Sequence, residues 1–374
     1  MRRRSKAEAN LLQSLAQQGP QSRADLGRSI GQTRATAGNV VARLLEEGIV
    51  RTAGSAEHDT HRTIGRPGER VSINPDHCHV IGVDAGIGFV IALRMDLAGT
   101  VVAAEQIKTE DRAPAAMLDR VVSLVQEVAI GAPSIGGVSV AVPGIITREG
   151  YVMRAPFLGW KDVSFRDQLA RHLGDYGPLS LENDANALAM GEVIRGHVAP
   201  DEMTIVLSMD VGVGGSILSG GKLMDGQSGL AGEFGHMFVQ PSSAEAPVRL
   251  ENFIGRFALL ARYGALGGEG VSLDAFVDAL DQGERAARQV QHEWVEVLAQ
   301  ALSTITSVLN PGSLVFGGPL TTLLERSLPL LDEAYEGLLM HGTAKPRFVL
   351  LPFAQHAVAR GCCDLRREAI FSMV

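Results

Sequence analysis

Leu181-Glu182-Asn183-Asp184-Ala185-Asn186 is the stretch from which the fold is best read. Apolar and polar residues alternate up to Asn183 and Asp184, where a strand gives way to a helix. An amide and a carboxylate therefore sit together at the end of a strand. A second segment, Gly232-Glu233-Phe234-Gly235-His236, follows a glycine-rich turn and sets Glu233 and His236 one helical turn apart. Together the two segments offer charged acceptors and a ring donor suited to a polyhydroxylated ligand. Each residue taken alone has a plainer explanation: Asp184 caps the helix that follows it, and Glu233 pairs with a nearby base.

Around these segments the chain is 374 residues long, 45% hydrophobic and 20% charged, enough to bury large cores in two or three domains. Aromatic residues make up only 5% while glycines number 43, which fits an α/β protein with many tight turns. Cys78, Cys362 and Cys363 lack metal-ligand spacing, and an adjacent pair makes a poor disulfide; a reducing cytoplasm is expected. No run approaches the ~20 apolar residues needed to cross a bilayer, so no membrane partner is expected. Charge is unevenly divided. Residues 1–75 hold 12 Lys/Arg against 7 Asp/Glu, net +5, and the rest hold 22 against 35, net −13, which together give −8. A basic head on an acidic body fits a DNA-binding domain joined to a ligand-binding one.

In the head, Leu11, Leu12 and Leu15 mark one face of a helix over Glu8–Gln17 that ends at Gly19-Pro20. Ser22 caps a short helix over Arg23–Ser29, Gly31-Gln32 turns the chain, and Thr33 caps a helix running to Glu47. The spacing predicts a helix-turn-helix with Ala37, Val40, Val41, Leu44 and Leu45 inward. Gln32, Arg34, Thr36, Asn39 and Arg43 face out, residue types that reach base edges and phosphates of double-stranded DNA. An ordinary solvated face carries the same types. The segment that follows tips the balance: Ile49–Arg51 and Arg70–Ile73 read as strands around a loop with Arg62, Gly65, Arg66, Pro67 and Gly68. That is the pattern of a wing, slim enough for Arg66 to enter a minor groove.

Asn74-Pro75-Asp76 reads as a linker to the body. There, strands are expected at Val80–Gly86, Phe89–Met95, Val101–Ile107 and Gly136–Val142, with a helix over Pro114–Ile130. Beyond Asp184 the theme returns with strands at Thr204–Ser208, Ser216–Leu218 and Leu314–Phe316 and a long helix from Glu284 to Leu309. Periodicity by itself gives α/β.

These segments and this order resemble the ROK family (repressors, open reading frames and kinases) from about residue 4 to the C-terminus. The resemblance implies a two-lobed actin/hexokinase-like (ribonuclease-H-like) sugar-kinase fold preceded by an N-terminal winged helix-turn-helix. On that pattern residues 1–75 are the DNA-binding domain and 76–183, completed by a C-terminal helix at 356–374, the small lobe. Residues 184–355 then form the large lobe with the sugar site and the dimerisation surface. It also implies sugar ligation by Asn183, Asp184, Glu233, His236 and Glu251, with a backbone contact from Gly144; in the family's kinases the residue matching Asp184 is the catalytic base.

Two departures separate the chain from those kinases. Their first phosphate loop reads Asp-x-Gly-Gly-Thr-Lys, whereas this chain has Asp84-Ala85-Gly86-Ile87-Gly88-Phe89; the hydroxyl and ammonium are gone, and isoleucine resists the positive φ that glycine accepts. Their second reads Gly-Thr-Gly-x-Gly-Gly, and here Asp210-Val211-Gly212-Val213-Gly214-Gly215 replaces a hydroxyl and adds a negative charge. Many members also bind zinc through the equivalent of His236 and three cysteines, yet residues 237–249 contain no cysteine, so no metal and no cofactor are expected. The resulting expectation is a cytoplasmic regulator, read as a repressor, that senses a sugar without phosphorylating it and assembles as a homodimer or a pair of dimers. The alternatives are a sugar kinase with an appended DNA-binding head, and a regulator answering to a partner protein.

Overall fold

The computed structural model describes residues 4–53, 69–198, 202–227, 229–269, 272–352 and 354–372. Arg62 and Arg66, and with them the expected tip of the wing, lie outside the described residues. The chain divides into two compact units: residues 1–183 with 194–196 and 358–374, and residues 184–193 with 197–357.

The first unit opens with three helices: α1 (Lys6–Gln18), α2 (Arg23–Ser29) and α3 (Arg34–Glu46). Each starts where a hydroxyl can cap it. Ser5 and Glu8 exchange hydrogen bonds as a capping box on α1, Ser22 accepts from the Asp25 amide, and Thr33 from the Thr36 amide. A two-residue strand, β1 (Gln21–Ser22), was not legible in the sequence; it joins β2 (Val50–Ala53) and β3 (Arg70–Ile73) in the antiparallel order β1-β3-β2. Ala37, Val40, Val41 and Leu44 are buried as expected, while Leu45 is only half-buried.

The expected linker is a hydrogen-bonded turn. Asn74 donates through Nδ2 to Gly48 O at 2.8 Å and through its amide to Ile49 O at 2.9 Å. Beyond it β4 (His79–Ala85), β5 (Phe89–Asp96) and β6 (Val101–Lys108) form an antiparallel meander, followed by α4 (Pro114–Ala129) and β7 (Ile135–Val142), which lies parallel to β4. A small sheet of β8 (Ile145–Ile146), β9 (Val152–Ala155) and β10 (Trp160–Val163), then α5 (Phe165–Leu173), precede β11 (Leu179–Asn183), parallel to β7. The main sheet order is β11-β7-β4-β5-β6. One buried cluster runs from Leu11, Leu12, Leu15, Val71 and Ile73 of the head into Val80, Ile91, Leu93, Met95, Ile370 and Phe371 of the body. Apolar burial thus welds the head to the sheet and to the C-terminal helix Ala357–Ser372.

The second unit repeats the plan. After α6 (Asp184–Ile194) come β12 (Thr204–Met209), β13 (Val213–Ser219) and β14 (Lys222–Leu223), an antiparallel meander. The short ladder β15 (Phe238–Val239) and β16 (Val248–Arg249) leads into α7 (Glu251–Ile254), α8 (Arg256–Ala265), α9 (Leu273–Asp281) and α10 (Arg285–Leu309). β17 (Ser313–Gly317) then lies parallel to β12, and after α11 (Thr321–Glu336) β18 (Arg347–Leu350) lies parallel to β17, for an order β14-β13-β12-β17-β18. Both main sheets are therefore a three-stranded meander extended from its first strand by two parallel strands. The duplication expected from the repeated sequence pattern is real.

Candidate ligand site and DNA-facing helix

Asn183 ends β11 and Asp184 begins α6, as the sequence pattern predicts. In the first unit Asn183 donates through Nδ2 to Gly144 O at 2.9 Å, so two of the expected site residues are in direct contact. Gly144 thus meets the amide with its carbonyl, and a side chain there would run into Arg154 O.

In the second unit Asp184 accepts the Ala185 amide at 2.9 Å through Oδ1. Burial pushes its carboxyl up to about 6, against the pull of the Ala185 amide and its own, and the charges of Glu233 and Asp210 push the same way. A capping carboxylate of the ordinary kind would be lowered by the helix N-terminus. Here desolvation wins. Glu233 is raised too, by burial first and by Glu251, with His236 opposing.

Glu233 precedes a short 3-10 turn, Phe234–His236, that supplies the predicted spacing. The glycines beside it are required by close backbone approach. Gly232 has φ +95°, and a Cβ there would meet Gly215 O at 2.5 Å; one on Gly215 would meet Gly232 O at 2.7 Å and the Phe234 ring. The glycines of the second loop thus hold β13 against the turn that carries Glu233. His236 Nε2 lies 3.7 Å from Glu251 Oε1 and 3.9 Å from Glu233 Oε2. Its Nδ1 is met by the Arg249 guanidinium, a contact that no local sequence pattern signals. The pairing of Phe238 with Arg249 across β15 and β16 delivers that arginine.

The two loops in which the sequence departs from the family's kinases each make contacts within the protein. Gly86-Ile87-Gly88 turns β4 into β5, and Ile87 does not take positive φ. The turn's carbonyls are engaged: Thr109 donates to Gly86 O and Gly88 O, and Arg112 to Ile87 O. In the second loop Asp210 does not stand as a bare negative charge. Arg256 Nε lies 2.7 Å from Asp210 Oδ1, and the Arg256 amide donates to Asp210 O at 2.7 Å. Arg256 opposes the rise of the Asp210 carboxyl, although burial outweighs it.

In the head, Gln32, Arg34, Thr36, Asn39 and Arg43 are all exposed. Arg43 has a second duty, since Nη1 lies 3.2 Å from Oε1 of the fully buried Glu8. No helix among the described residues is long and apolar enough to cross a membrane.

The fold has close counterparts among solved structures. A ROK family transcriptional regulator described as a homologue of the E. coli MLC protein superposes with a TM-score of 0.78 at 19% identity, over 98% of this chain and 96% of its own. A ROK glucokinase from Streptomyces griseus, solved with glucose and AMPPNP, superposes at 0.65 with 25% identity, over 77% of this chain and 98% of its own. The expected actin/hexokinase-like α/β fold is the one observed. In sequence, a xylose repressor of Caldicellulosiruptor bescii is 27% identical over 83% of this chain and 82% of its own length. The xylose repressor of Bacillus subtilis is 26% identical over 61% of this chain, which spans 59% of that protein. A glucokinase of Thermotoga maritima is 27% identical over 68% of this chain and 86% of its own length. Residues 80–369 match the ROK family over well more than half of the sequence, and the chain belongs to that family.

Proposed function

We propose that this ROK protein is a DNA-binding transcriptional regulator, read as a repressor, whose kinase-like body binds a sugar without phosphorylating it. The observation that carries the reading is the head: a capped helix with Arg34, Thr36 and Asn39 turned outward and exposed Gln32 just before its cap, on a core continuous with a sugar-kinase-like body. The similarity to repressors supports it, as does the regulator superposition, which takes in almost the whole chain where the glucokinase takes in 77%. Residues 1–75 serve as the DNA-binding domain, 76–183 with 356–374 as one lobe and 184–355 as the other. Asn183, Asp184, Glu233, His236 and Glu251 bind the sugar hydroxyls, and Gly144 orients Asn183. A homodimer, or a pair of dimers, places two heads on operator half-sites about one helical turn or a multiple apart.

The absence of phosphoryl transfer is read from Gly88, Phe89 and Val211, which stand where the family's kinases carry two hydroxyls and an ammonium. Similarity to glucokinases favours a second reading, a kinase that carries a DNA-binding head. An operator titration with and without D-glucose or D-xylose, run beside an ATP-turnover assay, separates the two. A sugar-dependent shift of roughly 5- to 150-fold in operator affinity, with no ATP consumed, is expected. Turnover of ATP with sugar would establish the kinase instead.

A further inference from the structure

We propose that Arg249 is a positioning residue that fixes His236 as a hydrogen-bond donor, so that a single ligand hydroxyl is read at once by an imidazole N–H and a carboxylate. This builds on the reading of Glu233, His236 and Glu251 as ligand-binding residues, and adds the direction of each hydrogen bond.

A guanidinium carries five N–H donors and no acceptor. Arg249 Nη1 meets His236 Nδ1, so that nitrogen accepts and carries no proton. In the neutral ring the hydrogen is then on Nε2. Nε2 is also the atom turned toward the carboxylates, at 3.7 Å from Glu251 Oε1 and 3.9 Å from Glu233 Oε2. Both separations are too long for a direct hydrogen bond and suited to a polar atom set between the groups. A hydroxyl in that position accepts from Nε2–H and donates to a carboxylate, using both of its capacities. An ether oxygen can accept from the ring but has no proton for Glu233 or Glu251. The trio therefore selects for a free hydroxyl against its O-methyl or deoxy counterpart, because a half-buried carboxylate that a bound ligand covers without giving it a donor is costly.

Local structure accounts for the arginine's position. Phe238 pairs with Arg249, Val239 with Val248, and the Leu250 amide donates to Met237 O at 2.8 Å. This ladder pins the chain just after His236 to the chain just before Glu251, and the arginine falls beside the ring. Residues 237–250 contain no other histidine and no cysteine that can fix the ring in its place.

The test uses the full chain labelled with ¹⁵N in histidine, with His236→Gln to assign the ring signals. In the ligand-free protein the wild type and Arg249→Lys are expected to hold the His236 proton on Nε2, and Arg249→Met to lose that preference. Titration with D-glucose, D-xylose and their deoxy and O-methyl analogues follows. For whichever sugar binds, Arg249→Met is expected to weaken affinity about tenfold or more and to flatten discrimination against one analogue. Arg249→Lys should restore both, with the melting temperature unchanged throughout. A wild-type proton on Nδ1, or an Arg249→Met tautomer equal to wild type, overturns the positioning role. If the tautomer follows Arg249 but none of these sugars binds, the hydroxyl-reading half falls together with the ligand-site reading, and the positioning of the ring stands.

Discussion

Asp184 concentrates the chemistry of the candidate site in one carboxyl. Its value of about 6 places its titration within reach of ordinary buffers. Its ionised form is the stronger acceptor for sugar hydroxyls, so sugar affinity is expected to hold above pH 7 and to fall as pH drops through 6; calorimetry at pH 5, 6 and 7.5 checks this. Stability runs the opposite way. The folded carboxyl binds its proton more tightly than the unfolded one, so this group's contribution is most favourable below the ordinary aspartate value of 3.8 and is lost as pH rises through about 6. Asp184→Asn keeps an oxygen for the Ala185 amide and removes the buried charge. It is expected to abolish sugar binding while raising the melting temperature by roughly 2–4 °C per kcal/mol relieved at pH 7.5, a gain that vanishes near pH 4. A mutant that melts lower than wild type at pH 7.5 would show that the charge stabilises the fold.

Helix α3 is where packing and proposed DNA contact share one element. Asn39→Ala should cost ~1–3 kcal/mol of operator affinity and relax specificity at one base pair, measured by competition with single-base operator variants. Arg34→Ala should weaken operator binding and leave stability nearly unchanged, because its side chain is exposed. Arg43→Ala is expected to do both kinds of harm. It removes a partner from buried Glu8, which also accepts from the Ser5 amide at 2.7 Å, so α1 and α3 lose a shared anchor. Thermal melts beside DNA titrations separate the two arginines: equal melting temperatures for both variants would reduce the Arg43–Glu8 contact to a surface pair.

For the whole molecule, the continuous core of the first unit makes the head more than a detachable tag. Removing residues 1–75 would uncover Ile91, Leu93, Met95, Ile370 and Phe371, which are nearly or fully buried in the intact chain. Exposed apolar surface costs about 25 cal/mol per Å², so the truncated body is expected to melt well below the full chain and to bind apolar dyes. An unchanged melt would mean that the head contributes nothing to the body's stability. The proposed assembly is tested by light scattering at micromolar concentration with and without operator DNA, where a strict monomer would contradict it.

Local sequence determined those element boundaries whose causes are local. Ser22 and Thr33 cap the helices predicted for them, and the 181–186 stretch places Asn183 and Asp184 where a strand meets a helix. The repeated strand pattern likewise pointed to the duplicated sheets, since alternation and turn residues are written into each segment. What only the tertiary structure decided was pairing across long sequence separations. Arg249 on His236 depends on the register of a two-residue ladder, Arg43 on Glu8 on how two helices pack, and Arg256 on Asp210 on a turn 46 residues away. Asn74-Pro75-Asp76 reads as a linker because a proline and two turn-forming side chains break the pattern; the fold makes it a bonded turn because Gly48 and Ile49 lie beside it. A charged side chain's partner is set by which elements pack together, and no local pattern records that.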